Sequence, residues 1–137
     1  MTALFEPPVS EASEEFWNAT RERRLVLPWC TLCDLPFWYP REVCPRCLDD
    51  AIEWREASGM GEVHAVSVQH RPGPMRDPND GPYTVVLVDL AEGVRIISNV
   101  VGCPPESVTV GMEVRVAWQA LADGRHLPQF EPVGGHP

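Results

Sequence analysis

Two Cys-x-x-Cys motifs, separated by ten residues, constrain this chain more than any other feature. Cys30 and Cys33 form the first motif, and Cys44 and Cys47 form the second. Each motif turns the backbone so that two sulfurs face one point, and four thiolates at tetrahedral corners suit zinc. A site with four sulfur ligands has no open position. We therefore predict a structural Zn²⁺ that holds a small ribbon together and takes no part in chemistry.

Two other interpretations of the cysteines stay open. Two disulfides or four free thiols would also use these residues, although paired motifs at this spacing are typical of a metal site. An iron site of the rubredoxin type also uses two such motifs, usually with a glycine after the second cysteine of each. Asp34 and Leu48 stand at those positions here. A rubredoxin-like electron carrier is therefore an alternative.

Composition bounds the class of protein. The chain has 137 residues, of which 44% are apolar, as is typical of a packed globular protein with one ordinary domain or two very small ones. We expect neither a membrane span nor a secretory signal, because no apolar run is long enough for the first and the start lacks the pattern of the second. Four of the five cysteines fall in the two motifs. This usage is typical of a reducing compartment, so we expect a cytoplasmic protein.

The charges disfavour several functions. There are 20 acidic residues against 11 basic ones, and every basic residue is an arginine. Without lysine, the chain cannot form a lysine Schiff base or use a P-loop lysine. The formal net charge of −9 repels phosphate backbones at long range, which counts against binding to nucleic acid.

Residue patterns predict three successive units. Residues 1–24 form an arm and a helix capped by Ser10, and residues 25–57 form the zinc ribbon and an acidic connector that begins at Asp49. From residue 58 to residue 137 the pattern is that of strands, expected at 63–70, 83–90, 94–101, 113–120 and 127–130. The predicted fold is mainly β: an N-terminal helix, a rubredoxin-like zinc ribbon and a five-stranded OB-fold barrel.

Aromatic and arginine side chains are the candidates for a face that binds a ligand or a partner. They are Phe16, Trp17, Phe37, Trp38, Tyr39, Arg41, Arg71 and Arg76. Three of the aromatics lie in a row between the cysteine motifs, which is more apolar surface than so small a ribbon can bury alone. They could instead pack on the metal site or on the next domain. The two helix aromatics could likewise dock on their own domain or on another subunit. The arginines, two of them in a loop at 71–82, could meet an anion.

No catalytic constellation is recognisable in the sequence. Cys103 has no base among its sequence neighbours, so we interpret it as a passive thiol. His64 and His70 are interpreted as hydrogen-bonded or solvated strand residues. We therefore expect no catalytic residues and no enzyme activity from the chain by itself.

The complete pattern resembles the zinc-ribbon and OB-fold family called domain of unknown function 35 (DUF35). The matching stretches cover nearly the full chain. Besides the cysteine motifs they are Phe16-Trp17, Pro40-Arg41, Gly59-x-Gly61-x-Val63, Pro82-Tyr83, Gly111-Met112-x-Val114 and Leu127-Pro128-Gln129-Phe130.

This resemblance implies a non-catalytic partner of acyl-CoA enzymes. Members of the family associate with thiolases, with thiolase-like aldolases of steroid side-chain degradation and with hydroxymethylglutaryl-CoA synthase-type enzymes. The expected role is that of a separate small subunit that stabilises a thiolase-type partner in a hetero-oligomer and helps to shape its acyl-CoA site. Neither nucleic acid nor a membrane is expected as a partner. A nucleic-acid-binding module and an electron carrier stay the alternatives.

Overall fold

The computed structural model describes residues 7–70 and 81–134. As predicted, Ser10 caps the first helical segment, and its side chain accepts a hydrogen bond from the Ser13 backbone N–H. A 3-10 turn, Glu11–Ser13, leads into helix α1, Glu14–Thr20. The chain then leaves the helix because Arg23 takes a left-handed φ of 56°. Within the described ranges, no helix is long and apolar enough to cross a membrane.

A three-stranded antiparallel sheet carries the cysteine motifs. Strand β1, Val26–Cys30, lies between β2, Leu35–Pro36, and β3, Ile52–Glu56. Strand β3 corrects our expectation of a connector from Asp49 to Ala57, because it pairs with all five residues of β1. Its apolar residues alternate with charged ones, as in a strand with one buried face. The many charges hid this short alternation.

The second sheet contains the five strands expected after the ribbon. They are β4, Met60–Gln69; β5, Tyr83–Leu90; β6, Arg95–Ser98; β7, Glu113–Ala120; and β8, His126–Pro132. Their order across the sheet is β6-β5-β4-β7-β8, and all pairs are antiparallel. A 3-10 turn, Pro105–Ser107, interrupts the chain between β6 and β7, outside the strands expected at 94–101 and 113–120.

This sheet curls until its two edges meet. The Val101 N–H donates to the Phe130 carbonyl at 2.8 Å, and the Phe130 N–H donates to the Asn99 carbonyl at 2.9 Å. Val100 and Phe130 also form a parallel bridge, and Phe130 is fully buried. The strand order and this closure agree with a partly open Greek-key barrel, so the predicted OB fold is confirmed.

One hydrophobic core joins the helix, the start of the ribbon and the barrel. Phe16 of α1 and Leu25 and Leu27 around the start of β1 belong to the same buried cluster as Val88 and Phe130 of the barrel. At the other end of the ribbon, residues 41–50 are exposed except for one cysteine. The base of the ribbon is therefore held by apolar packing, whereas the cysteine end needs another source of stability.

A buried arginine fastens α1 to the barrel. The Arg125 side chain forms an ion pair with Asp123 at 2.6 Å and donates a hydrogen bond to the Pro7 carbonyl at 2.8 Å. Its guanidinium also lies 4.9 Å from the centre of the Trp17 ring. A backbone hydrogen bond from Arg125, supported by its side chain, lowers the pKa of Asp123. Three separate contacts thus converge on one cation between the N-terminal segment and β8.

Candidate metal centre and partner face

The two cysteine motifs fold into matching backbone hooks. In each hook, the residue after the second cysteine donates its N–H to the carbonyl of the first, Asp34 to Cys30 and Leu48 to Cys44, both at 2.8 Å. Both donors are left-handed, with φ of 56° at Asp34 and 63° at Leu48. Glycine reaches this conformation without steric cost, but other residues can be held there. The missing glycines therefore leave the geometry of the hooks unchanged.

The hooks bring four sulfurs to one point. Cys30 Sγ lies 3.6 Å from Cys47 Sγ, and Cys33 Sγ lies 3.9 Å from Cys44 Sγ. All four sulfurs lie within 4.8 Å of one another. A disulfide needs about 2.05 Å, whereas Zn–S bonds of about 2.3 Å in a tetrahedron separate the sulfurs by about 3.8 Å. The donor set therefore fits a tetrahedral metal ion and not two disulfides.

Backbone N–H groups, burial and neighbouring thiols shift the pKa values of two cysteines of the cluster. Burial raises the pKa of Cys44, but backbone hydrogen bonds from Cys47 and Arg46 outweigh it and lower this pKa to about 6. A backbone hydrogen bond from Asp49 lowers the pKa of Cys47, but burial and the neighbouring thiols raise it to about 12. Four close thiols cannot all ionise without a cation between them. Binding of a metal ion must therefore release protons.

The aromatic candidates lie at different depths. Phe16 and Phe37 are buried in the chain's own packing. Trp38 is partly buried, with its ring centre 5.1 Å from that of Phe16, and Trp17 also packs against the core. Tyr39 is 57% exposed. The face expected from the sequence stays a prediction, and Tyr39 is the aromatic member that a partner can reach without rearrangement.

The arginine candidates are only partly described. Arg41 is exposed on the ribbon and forms no ion pair with any described residue. Arg71 and Arg76, with most of the loop that carries them, lie outside the described residues. Of the three candidate arginines, Arg41 is thus the one that the structure describes, and its exposed side chain can contact an anion.

Sequence reasoning missed an aliphatic surface around the metal centre. We call it the ribbon patch. It consists of Leu32, Leu35, Tyr39, Val43 and Leu48, all of them exposed. Its four aliphatic members lie within two residues of a cysteine of the cluster. That adjacency was the available signal, but a leucine next to a metal ligand is usually interpreted as packing.

Comparison with known proteins supports this description of the chain. Residues 17–53 match a family model described as "ChsH2, rubredoxin-like zinc ribbon domain". Residues 54–119 match one described as "ChsH2, C-terminal OB-fold domain". The two matches are adjacent and together span the C-terminal half of α1, the ribbon and most of the barrel.

Among curated proteins, the chain is similar to a "Probable enoyl-CoA hydratase alpha subunit" of Thermomonospora curvata, with 35% identity over 96% of this chain. The chain spans 41% of the length of that relative. It is also 32% identical to a "DUF35 domain-containing scaffold protein" of Methanocaldococcus jannaschii, over 78% of this chain and 77% of that protein.

A solved structure is similar over nearly the whole chain. A chain of the "Ltp2-ChsH2(DUF35) aldolase" superposes with a TM-score of 0.84 and 32% identity. The superposition covers 94% of this chain and 100% of that chain. The combination of ribbon and barrel described above therefore occurs, over nearly the whole of this chain, in a protein that is named as an aldolase.

Proposed function

Because the chain belongs to the DUF35 family of zinc-ribbon and OB-fold proteins, we propose that it is a non-catalytic accessory subunit of a thiolase-type enzyme. It binds and stabilises that enzyme, a thiolase or retro-aldolase, and helps to form its acyl-CoA site. The observation that carries this proposal is the full-length likeness to a chain of the Ltp2-ChsH2(DUF35) aldolase. The relatives' names, which include a scaffold protein and an enoyl-CoA hydratase subunit, also support an accessory role.

The metal centre supports a structural role. Among the described residues, the four cysteines are the cluster of close donors that could hold a metal ion. We infer that the ion is Zn²⁺, because sulfur ligands and tetrahedral spacing suit it. Four sulfurs fill its coordination sphere, so a substrate carbonyl would find no open position. The ion would fix the fold of the hooks, and the reacting groups would come from the partner.

The proposed contact with acyl-CoA depends on an exposed positive charge on the ribbon. Coenzyme A carries phosphates, which arginine binds well because its planar fork matches their oxygens. Arg41 is exposed beside Tyr39 on the ribbon and pairs with no described residue, so it is available to a phosphate. We place the acyl-CoA at or near the interface between the two subunits. Steroid or other lipid side chains are the proposed acyl groups, and the cytoplasm is the proposed compartment.

Association is the property to test first. We expect co-expression of this chain with the thiolase-like protein encoded nearest to it to yield a hetero-oligomer. Size-exclusion chromatography with light scattering would show a mass larger than that of either protein expressed alone. The control is the same partner expressed with the Arg115→Ala variant, which should form the hetero-oligomer as the wild type does. Arg115 is exposed, contacts Glu131 and lies far from the ribbon in sequence. A partner that elutes at its own mass in the presence of the wild-type chain would contradict the proposal.

A further inference from the structure

The ribbon patch concentrates apolar exposure in a short stretch of chain. Large hydrophobic side chains exposed among the described residues number nine, and five of them lie between Leu32 and Leu48. Leu32 and Leu48 are 66% and 72% exposed. Each aliphatic member lies within two residues of a cysteine, and the four cysteine sulfurs meet at one point, so these exposed side chains are carried by segments that converge on a single centre. Scattered exposed leucines are ordinary, but a group around one rigid centre is typical of a binding surface.

Leu48 gives a second, independent indication. Its φ of 63° is unfavourable for a leucine, because Cβ crowds the backbone in the left-handed region. The equivalent position of the other hook holds Asp34, a residue type that tolerates this conformation better. The Leu48 side chain is exposed, so its own packing does not compensate for the strain. The hook needs the left-handed conformation at this position but not a leucine, so the choice of residue is a reason to look for a function.

The charges around the patch define what can cover it. Residues 31–50 contain four acidic residues and two arginines, a net charge of −2. Four thiolates around one dication add a further charge of about −2. Arg46 donates a hydrogen bond to the Leu35 carbonyl at 3.1 Å. Arg55 pairs with Glu53 and, at 3.6 Å, with Asp34, and inclusion of Glu53 and Arg55 leaves the net charge at −2. A second copy of this acidic chain would meet like charge, whereas a groove with a basic rim would meet opposite charge.

We propose that the ribbon patch is the docking surface of this subunit, and that it inserts Leu48 and Leu32 into an apolar groove with a basic rim on the enzyme subunit. This inference rests on the proposed function and specifies which part of the chain makes the contact. The metal ion then has a second consequence, because it fixes both leucines on rigid hooks. A backbone that is already held in one conformation loses little further entropy on binding.

The test uses Leu48→Gly, for which folding and docking predict opposite changes. Glycine relieves the left-handed strain, so the metal-loaded variant should unfold about 2 to 4 °C above the wild type. It also removes the side chain from the interface. The dissociation constant for the co-purified thiolase-like partner, measured by calorimetry, should therefore rise about tenfold or more.

Two further variants make the result specific. Leu48→Asn keeps a residue that tolerates the left-handed conformation but removes the apolar side chain, so it should weaken association like Leu48→Gly. Val110→Ser changes an aliphatic residue of the barrel that is 66% exposed. It should bind within about twofold of the wild type, since surface changes away from an interface cost little.

The outcomes separate this inference from the proposed function. If the wild type binds and both Leu48 variants bind equally well, the docking surface is wrong while the accessory role stands. If the wild type does not bind the partner, the accessory role itself is contradicted. If Leu48→Gly loses its metal ion or melts below the wild type, the strain argument is wrong, and Leu48→Asn then decides whether the side chain docks.

Discussion

The substitution Cys44→Ser is expected to abolish metal binding and to unfold the cysteine end of the ribbon. Cys44 is fully buried, and its Sγ lies 3.9 Å from that of Cys33. Structural zinc supplies roughly 10–16 kcal/mol of apparent binding free energy in small finger peptides. Residues 41–50 are almost entirely exposed, so little apolar packing opposes their unfolding once the ion is lost.

Unfolding in Cys44→Ser should stop at the base of the ribbon. Leu25 and Leu27 belong to the core shared with the barrel, and the Ala57 N–H donates to the Leu25 carbonyl at 2.8 Å. Hydrogen exchange should therefore speed up at the amides of Asp34 and Leu48, which close the hooks. It should stay slow at Ala57 and in the barrel.

Cys103→Ser is the matched control for this experiment. It makes the same chemical change at the cysteine that lies outside the cluster of four, so the metal content should stay at about one ion per chain. Elemental analysis of both variants measures this directly. Wild-type protein that is well folded and contains neither zinc nor iron would show that the ribbon needs no metal.

Alanine at Arg125 is expected to lower the free energy of unfolding by about 2–3 kcal/mol and to loosen α1. Arg125 is 4% exposed, and removal of its side chain leaves the Pro7 carbonyl without that donor and uncovers the Trp17 ring. Asp123 loses its ion pair and keeps the hydrogen bond from the backbone N–H of residue 125. Breaking a buried ion pair commonly costs about 3–5 kcal/mol. The exposure of Asp123 to solvent reduces that figure here.

Chemical denaturation of Arg125→Ala and Arg115→Ala provides the comparison. Arg115 pairs with Glu131 at 2.8 Å, but its side chain is 55% exposed, and exposed pairs contribute about 0–1 kcal/mol. Equal losses in the two variants would show that burial of Arg125 adds nothing.

The ion pair between Arg125 and Asp123 also predicts that the stability of the fold depends on pH. The lowered pKa of Asp123 means that its carboxylate stabilises the fold above the unfolded pKa. That contribution is lost as the pH falls through the folded pKa, and it should be smaller in Arg125→Ala. A denaturation series at acidic pH, run on the wild type and the variant, would measure the difference.

The ribbon and the barrel were predictable because each has a strong local signature. Four cysteines at fixed spacing specify one metal site wherever the rest of the chain goes. Alternation around residues such as Val114 and Val116 specifies strands with one buried face. Strand β3 escaped prediction because only Ile52 and Trp54 alternate among its charges.

The functional surface was harder to predict, because burial depends on contacts that are distant in sequence. Nothing local distinguishes Phe37, which is buried, from Tyr39, which is exposed two residues later. Phe16 approaches Trp38 only because α1 packs beside the ribbon. The exposure of Leu32 and Leu48 follows likewise from the way in which the hooks fold, and not from their residue type.

Turnover by the separated and combined subunits tests the central claim most directly. The chain alone, the thiolase-like partner alone and the co-purified complex would each be given an acyl-CoA thioester, and its loss would be followed by mass spectrometry. We expect the chain alone to match buffer. The partner alone should be slower than the complex by about tenfold or more, because a site completed by two subunits loses its positioning when one is absent. A partner that is equally stable and equally active without this chain would contradict the accessory role.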